Sequence, residues 1–473
     1  MENTLLNKFL SFSIGGYISI LIGLISVPIT TRMLTPEQYG IASIINLIIN
    51  ILILIVSLGL DQGFVRFFYE EKEESKGKLL FNCLYYPIFI LFIIILGIIF
   101  FNKNISEFIL KKQEFYITVI LIITLIFTLL NRFSMLIIRM EQKAKLFSFF
   151  TVLTQVLNFL FILLFFKIYR DDYKTIVLAT LFSTMITTIL AIIIENKVWR
   201  FKGKSNFSKQ ELLKFSLPLS LTMALTWIFQ SSDKIIIKIF TGMYEVGIYS
   251  AAFKIIALIS IVQNGFTTFW TPIAYEKYSK NSSETLFFEK AFEYVSLFFL
   301  VLGVFILMSK NLIILLLGET YIEASKVMPM LVFIPIMYTI SETTMLGIGF
   351  KKQTKYFLII SIIVALLNII GNLILVPVLG AKGAAISSGC VYIVFFAMRT
   401  YYSMKLINFK FKLKKLYLVL VFMLLYALYL TFYNNFLYTI VFGIILETLI
   451  FIVYLSTIKE MYFKFIKKRE RYR

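Results

Sequence analysis

Pro87-Ile-Phe-Ile-Leu-Phe-Ile-Ile-Ile-Leu-Gly-Ile-Ile-Phe-Phe101 holds no charge and no polar side chain. Val419-Leu-Val-Phe-Met-Leu-Leu-Tyr-Ala-Leu-Tyr-Leu-Thr-Phe432 reads almost the same way. A bilayer core is crossed by about 20 apolar helical residues, and inside lipid every backbone group has to find its partner within the chain. Both stretches therefore read as parts of membrane-spanning helices. Outward from them the pattern repeats, near 9–31, 40–62, 79–101, 115–138, 147–167, 174–196, 212–238, 247–274, 287–308, 326–349, 356–376, 383–404, 416–433 and 436–457. The expected fold is an all-α polytopic membrane protein of about 14 transmembrane helices. The first span is longer than a signal peptide and lacks a small-residue cleavage site after it, so it is expected to remain as a helix.

Composition agrees: 59% of residues are hydrophobic and 15% charged, against roughly 45–50% and 25% in soluble domains. There is no His, which excludes His-ligated zinc, Ser-His triads and histidine proton relays. Cys83 and Cys390 sit inside apolar runs, so neither a disulfide framework nor a Cys-rich metal site is expected. No metal and no cofactor are expected. The longest loop on one side, near 309–325, is too short for a soluble catalytic domain. The chain reads as a carrier, not an enzyme.

Lys and Arg set the orientation. The even-numbered faces, with both termini, carry 33 of the 47 basic residues; the opposite loops carry 10, and Arg132, Lys234, Lys238 and Lys254 lie inside spans. Both termini are expected in the cytoplasm, in a multi-pass protein of the cell (plasma) membrane. The net charge of +21 then reflects topology and anionic headgroups. Lys8 and the tail Lys467-Lys468-Arg469 belong to this set, and a nucleic-acid partner is not expected.

The chain also reads as duplicated. Phe12-Ser13 recurs as Phe215-Ser216, Gly40-Ile41-Ala42-Ser43 as Gly247-Ile248-Tyr249-Ser250, and Leu157-Asn158 as Leu367-Asn368. Six spans per repeat make the halves parallel, related by an axis along the membrane normal with a central cavity. The expected organisation is an N-lobe over 1–205, a C-lobe over 206–410, and two extra helices with a basic tail over 411–473.

Charges inside spans cost about 2.5–3.5 kcal/mol each on insertion scales, so most are expected to face protein or water. They are Asp61, Arg132, Asp233, Lys234, Lys238, Lys254, Glu342 and Glu447. Lys234 and Lys238 are four apart on one helix face, where like charges repel. Either an anion relieves them, or Lys238 snorkels to the interface. Lys254 lies deeper and calls for a carboxylate, with Asp233 the nearest candidate, or for an anionic ligand. Asp61 and Arg66 read as a helix-end i,i+5 pair, Arg132 as an anion contact or the partner of a buried acid. Asp233, Asp61 and Glu342 are candidates for ion pairing or for coupling to a proton or sodium gradient, and Glu447 reads as structural. Pro28, Pro218, Pro272 and Gly15-Gly16 are candidate bends.

Arg32-Met-Leu-Thr-Pro-Glu-Gln-Tyr-Gly40, Leu58-Gly-Leu-Asp-Gln-Gly-Phe-Val-Arg-Phe-Phe-Tyr-Glu70, and Ser232-Asp-Lys234 with Glu245-Val-Gly-Ile-Tyr-Ser250 and Phe253-Lys-Ile255 resemble the polysaccharide repeat-unit (O-antigen, Wzx-type) flippases. These belong to the multidrug/oligosaccharidyl-lipid/polysaccharide exporter superfamily. The resemblance implies two six-helix lobes, a cationic cavity, and transfer of a polyprenyl-pyrophosphate-linked oligosaccharide from inner to outer leaflet for surface polysaccharide biosynthesis, next to glycan polymerase machinery. It implies that Asp233, Lys234 and Lys254 line the cavity and that Asp61 and Arg66 fall on the cytoplasmic hallmark. The expected pyrophosphate contacts are Lys254, Lys234, Lys238, Arg132 and Arg66. A cation-coupled drug antiporter of the same superfamily and a membrane glycan polymerase are the alternatives.

Overall fold

The computed structural model describes the backbone of residues 2–257, 259–280 and 285–470. The side chains of 2–13, 221–222, 225–226, 228–230, 260–261, 268 and 464–470 lie outside the described set, and with them Lys8, Phe12-Ser13 and Lys467-Lys468-Arg469. The described secondary structure is helical throughout. By contact the chain divides into Met1–Ser231 and Ser232–Arg473.

The first unit contains α1 (Glu2–Met33), α2 (Pro36–Ser57), α3 (Leu60–Phe67), α4 (Lys76–Phe100), α5 (Asn102–Leu110), α6 (Phe115–Met140), α7 (Ala144–Tyr169), α8 (Lys174–Ile194) and α9 (Asn196–Trp199), and most of α10 (Lys209–Thr241). Here α1 packs on α7, α7 on α8, α8 on α6 and α6 on α2. The second unit takes the end of α10, then α11 (Met243–Ile256), α12 (Ile259–Lys280), α13 (Thr285–Met308), α14 (Lys310–Ile314), α15 (Ala324–Leu331), α16 (Phe333–Thr344), α17 (Leu346–Phe350), α18 (Lys355–Leu379), α19 (Ala381–Leu406), α20 (Leu413–Phe432), α21 (Phe436–Val453) and α22 (Leu455–Glu470). In it α18 packs on α19, α16 between α13 and α19, α20 against α15 and α21 against α13.

Twelve helices among the described residues are long and apolar enough to cross a membrane. They match predicted spans one to six and nine to fourteen. The seventh falls in α10, whose 33 residues reach across a bilayer at about 1.5 Å per residue. Two spans are described in two pieces. The eighth appears as α11 and α12, on either side of residue 258, which lies outside the described residues. The tenth appears as α15 and α16, whose hydrogen-bond ladder is interrupted at Val332 because Pro335 has no N–H to offer the Leu331 carbonyl. The second span is not the single helix the sequence suggested: it stops at Ser57, where Leu58 (φ 47°) and Gly59 (φ 71°) are both left-handed, and α3 starts afresh. Gly59 has to be glycine twice over: its φ suits no L side chain well, and a Cβ there would lie 2.6 Å from the Ser216 carbonyl oxygen. One turn on, a Cβ at Gly63 would lie 2.5 Å from Ser216 Oγ. The Gly59/Gly63 edge of α3 thus lets the α10 backbone approach closely, the use of small residues seen in membrane helix packing.

The two units share local details at the spacing of the sequence repeat. In the first, Gln38 Oε1 accepts from the Tyr173 backbone N–H at 3.0 Å; in the second, Glu245 Oε2 accepts from the Ala381 N–H at 2.9 Å. Asn158 Nδ2 donates to Thr180 Oγ1 (3.3 Å), and Asn368 Nδ2 to Ser388 Oγ (2.9 Å). Arg170 (φ 54°, ψ −131°) ends α7 in the same unusual conformation that Gly380 (φ 60°, ψ −138°) uses to end α18. Offsets of 207, 208 and 210 residues connect these pairs, within the drift of the sequence matches. They support a duplicated ancestor.

Lys310 is fully buried at the start of α14, and its Nζ donates to the Leu430 carbonyl in the last turn of α20 at 2.8 Å. A cation suits that helix end, but burial, and then the Lys326 charge, push its pKa down to about 8 from 10.5. Between those values the unfolded chain binds more protons than the folded one, so stability rises with pH. The thermal midpoint of the purified protein should therefore climb between about pH 8 and 10. Lys310→Met should lack that climb; an unchanged climb in the variant would remove Lys310 as its source.

Candidate functional site

The motif Ser232-Asp233-Lys234 lies on α10 where the second unit begins. Gly242 (φ 93°) then turns the chain into α11, which carries Tyr249 and Lys254. Two further helices meet this corner, α18 with Asn368 and Asn372 one turn apart and α19 with Ser387 and Ser388. Asp233 is 4% exposed, and a carboxylate so placed has to be satisfied. Its Oδ1 accepts from Asn372 Nδ2 at 2.6 Å, and its Oδ2 from Ser388 Oγ at 2.8 Å and from the Tyr249 hydroxyl. Asn368 ties the shell together: its Oδ1 accepts from Ser232 Oγ (2.9 Å) and Asn372 Nδ2 (3.1 Å), and its carbonyl from Ser387 Oγ (3.2 Å). Asn372 Oδ1 is buried beside the carboxylate without a hydrogen-bond partner.

The expected ion pair between Asp233 and Lys254 is not formed; the hydrogen-bond partners of Asp233 are neutral, and the ammonium near enough to feel its charge is Lys234. The reason is that Tyr249 on α11 and the polar pairs on α18 and α19 reach it first. Lys234 and Lys254 instead lie near enough to each other for their charges to repel. Lys254 is exposed; Lys234 and Lys238 are partly so.

Three further sequence candidates, Asp61, Arg66 and Arg132, sit in the first unit. Arg132 on α6 donates Nε (3.0 Å) and Nη2 (2.6 Å) to Asp61 Oδ2. The expected i,i+5 pair of Asp61 with Arg66 does not form, because the break at Leu58-Gly59 puts Asp61 in the first turn of α3, facing α6. Arg66 pairs with Glu70 at the surface. In the second unit Glu342 on α16 is bound by Arg399 of α19 at 2.7 Å. Arg399 also donates to Ser341 Oγ at 3.0 Å and lies over the Phe395 ring, 4.1 Å from its centroid. Arg399, inside the predicted span 383–404, ties α19 to α16. Glu447 keeps one buried oxygen without a hydrogen bond. No group of three or more Cys, Asp or Glu among the described residues is arranged to hold a metal ion.

A family profile described as "Polysaccharide biosynthesis protein" matches residues 5–276. The chain belongs to the polysaccharide biosynthesis protein family. That match covers more than half of the sequence and includes all three motifs from which the exporter resemblance was drawn. A search among curated proteins returned no significant match. Among solved structures, the lipid II flippase MurJ in an inward closed conformation is similar with a TM-score of 0.70 and 19% identity, over 94% of this chain and 99% of that one. An inward-facing multidrug resistance MATE family transporter of the MOP superfamily follows, with a TM-score of 0.64, 17% identity, and 83% and 95% coverage. A MOP superfamily transporter from Pyrococcus furiosus, for which a reversed polarity of the binding pocket is said to suggest a different function, has a TM-score of 0.55 at 18% identity, covering 85% of this chain. This member of the polysaccharide biosynthesis family therefore has the polytopic helical fold of the MOP exporters.

Proposed function

We propose that the chain is a flippase for a polyprenyl-pyrophosphate-linked oligosaccharide, moving it from the inner to the outer leaflet by alternating access of two lobes, 1–205 and 206–410, with both termini in the cytoplasm. The observation that carries this reading is the pair Lys234 and Lys254, on adjacent helices and near enough to repel. Two ammonium groups held together are stabilised by an anion, and a diphosphate offers two linked ones. Membership of a polysaccharide biosynthesis family supports a glycan on that diphosphate. Lys238, Arg132 and Arg66 are proposed as further contacts along the path. No bond is made or broken.

Asp233 is proposed as the coupling group. Its carboxylate is anchored by neutral donors from three helices and has the acceptor Asn372 Oδ1 beside it, an arrangement that accepts a proton or a small cation. The likeness to a multidrug transporter concerns the fold, and cationic drugs call for acids where this chain places Lys234 and Lys254.

Cells lacking the chain should accumulate the lipid-linked repeat unit and lose surface polysaccharide, and overexpression should not protect them from cationic dyes. Dye resistance with normal surface polysaccharide would replace the flippase reading by the antiporter one.

A further inference from the structure

Arg132 and Glu342 differ by 210 positions, the offset of Asn158 and Asn368, and each holds an ion pair inside its unit, although their partners Asp61 and Arg399 do not correspond in the repeat. The geometry of the two pairs is not matched either. Arg399 is 12% exposed and closed in by Glu342, Ser341 and the rings of Phe395 and Tyr338. Arg132 is 29% exposed although Asp61, its partner, is only 2% exposed. Moreover the Arg132 contact is lopsided. Asp61 Oδ2 alone receives Nε, Nη2 and the Gln62 amide at 2.8 Å, and Oδ1 is buried with no hydrogen bond. Arg–carboxylate pairs are frequently bidentate, and neither of these is. Arg399 leaves its own buried Nε without a hydrogen-bond partner, whereas Asp61 leaves a buried acceptor so and Arg132 keeps one end exposed. An orphaned buried acceptor is costly.

We infer that Asp61 is a positioning residue, gripping the Nε edge of Arg132 so that its Nη1 end is presented to the diphosphate of the cargo. This rests on the flippase reading. The Nη1 group has no hydrogen-bond partner among the described residues, and an open guanidinium end matches two phosphate oxygens. Arg132 stands eight residues before the end of α6, roughly 12 Å along the axis. That depth is beyond the headgroup zone but within reach of a cargo that has left it. The grip exists because Leu58 and Gly59 end α2 early: a continuous helix would turn Asp61 to another face.

Charge alone and positioning make opposite predictions. If Asp61 acts only by its negative charge, Asp61→Asn brings an anion closer to an unopposed Arg132 and tightens binding. If it aims Arg132, the same variant loosens binding, because one neutral oxygen no longer fixes both N–H groups. The measurement is titration calorimetry of the purified full-length protein with farnesyl diphosphate, next to farnesyl monophosphate. Asp61→Asn is expected to weaken diphosphate binding about tenfold and monophosphate binding less. Arg132→Gln should do the same, and the double variant should lose no more than either. Arg132→Lys should not rescue, since an ammonium has no second end. The exchange Asp61→Arg with Arg132→Asp should restore the thermal midpoint but not the binding; should it not fold, the single variants decide. Unchanged or tighter binding by Asp61→Asn, or binding restored by the exchange, overturns the assignment while leaving the flippase reading in place. Wild-type protein that binds neither ligand overturns that reading and this inference with it.

Discussion

Proteoliposomes containing Lys254→Ala are expected to flip a diphosphate-linked lipid at no more than about a tenth of the wild-type rate. The estimate follows from a hydrogen bond to a charged group, about 1.5–3 kcal/mol, with each 1.4 kcal/mol worth a factor of ten. Lys254 lies in the last turn of α11 and is exposed, so its truncation removes little packing and the thermal midpoint should hold. Lys254→Arg should keep much of the activity, because the charge and its reach survive. Lys234→Ala is expected to fall in the same direction and, with Lys254→Ala, to be less than additive, since the two are proposed to share one anion. Normal flipping by Lys254→Ala in well-inserted protein would take the residue out of the mechanism.

Asp233→Asn should separate coupling from transport. Asparagine keeps the size but offers one oxygen to Ser388 and Tyr249 and turns an N–H toward Asn372 Nδ2, donor against donor. A buried donor left without an acceptor costs about 1–3 kcal/mol, so the thermal midpoint should drop. The variant also removes the carboxylate proposed as the proton or cation site. Downhill flipping should persist at reduced rate, while an imposed proton or sodium gradient should no longer accelerate it. A variant that still responds in full to the wild-type coupling gradient would show that Asp233 holds the corner together and does no more. Asp233→Leu, which strands Asn372, Ser388 and Tyr249 together, should be the most destabilised variant of the corner.

The legible part of this protein was the part written in single residues. Apolar runs such as Pro87 to Phe101 mark spans wherever they occur, and Lys234, Lys254 and Asp233 announce themselves because charge is rare in lipid. Partners were harder. Asp233 was matched with Lys254 because both are charged, yet Tyr249, Asn372 and Ser388 hold it. Neutral hydroxyls and amides carry no sequence alarm, although Asn368 and Asn372, one turn apart in an apolar helix, were a signal of a buried polar face. Helix breaks were hidden for a related reason. Nothing in Leu58 marks a left-handed residue, and only Gly59 beside it hints at one. A smooth reading of span two therefore placed Asp61 against Arg66 when the break turns it to Arg132. Arg399 was not singled out among the charges inside spans, although the predicted span 383–404 contains it and the helix continues to Leu406.

The most direct test uses wild-type protein in vesicles whose fluorescent prenyl-diphosphate oligosaccharide is labelled on the sugar and bleached from outside by a membrane-impermeant reductant. The account predicts that nearly all of the fluorescence is lost, with the rate rising with protein content, while a cationic dye loaded in the same vesicles stays inside. Bleaching that stops at the outer-leaflet share, as in protein-free vesicles, while the dye is exported, would contradict it.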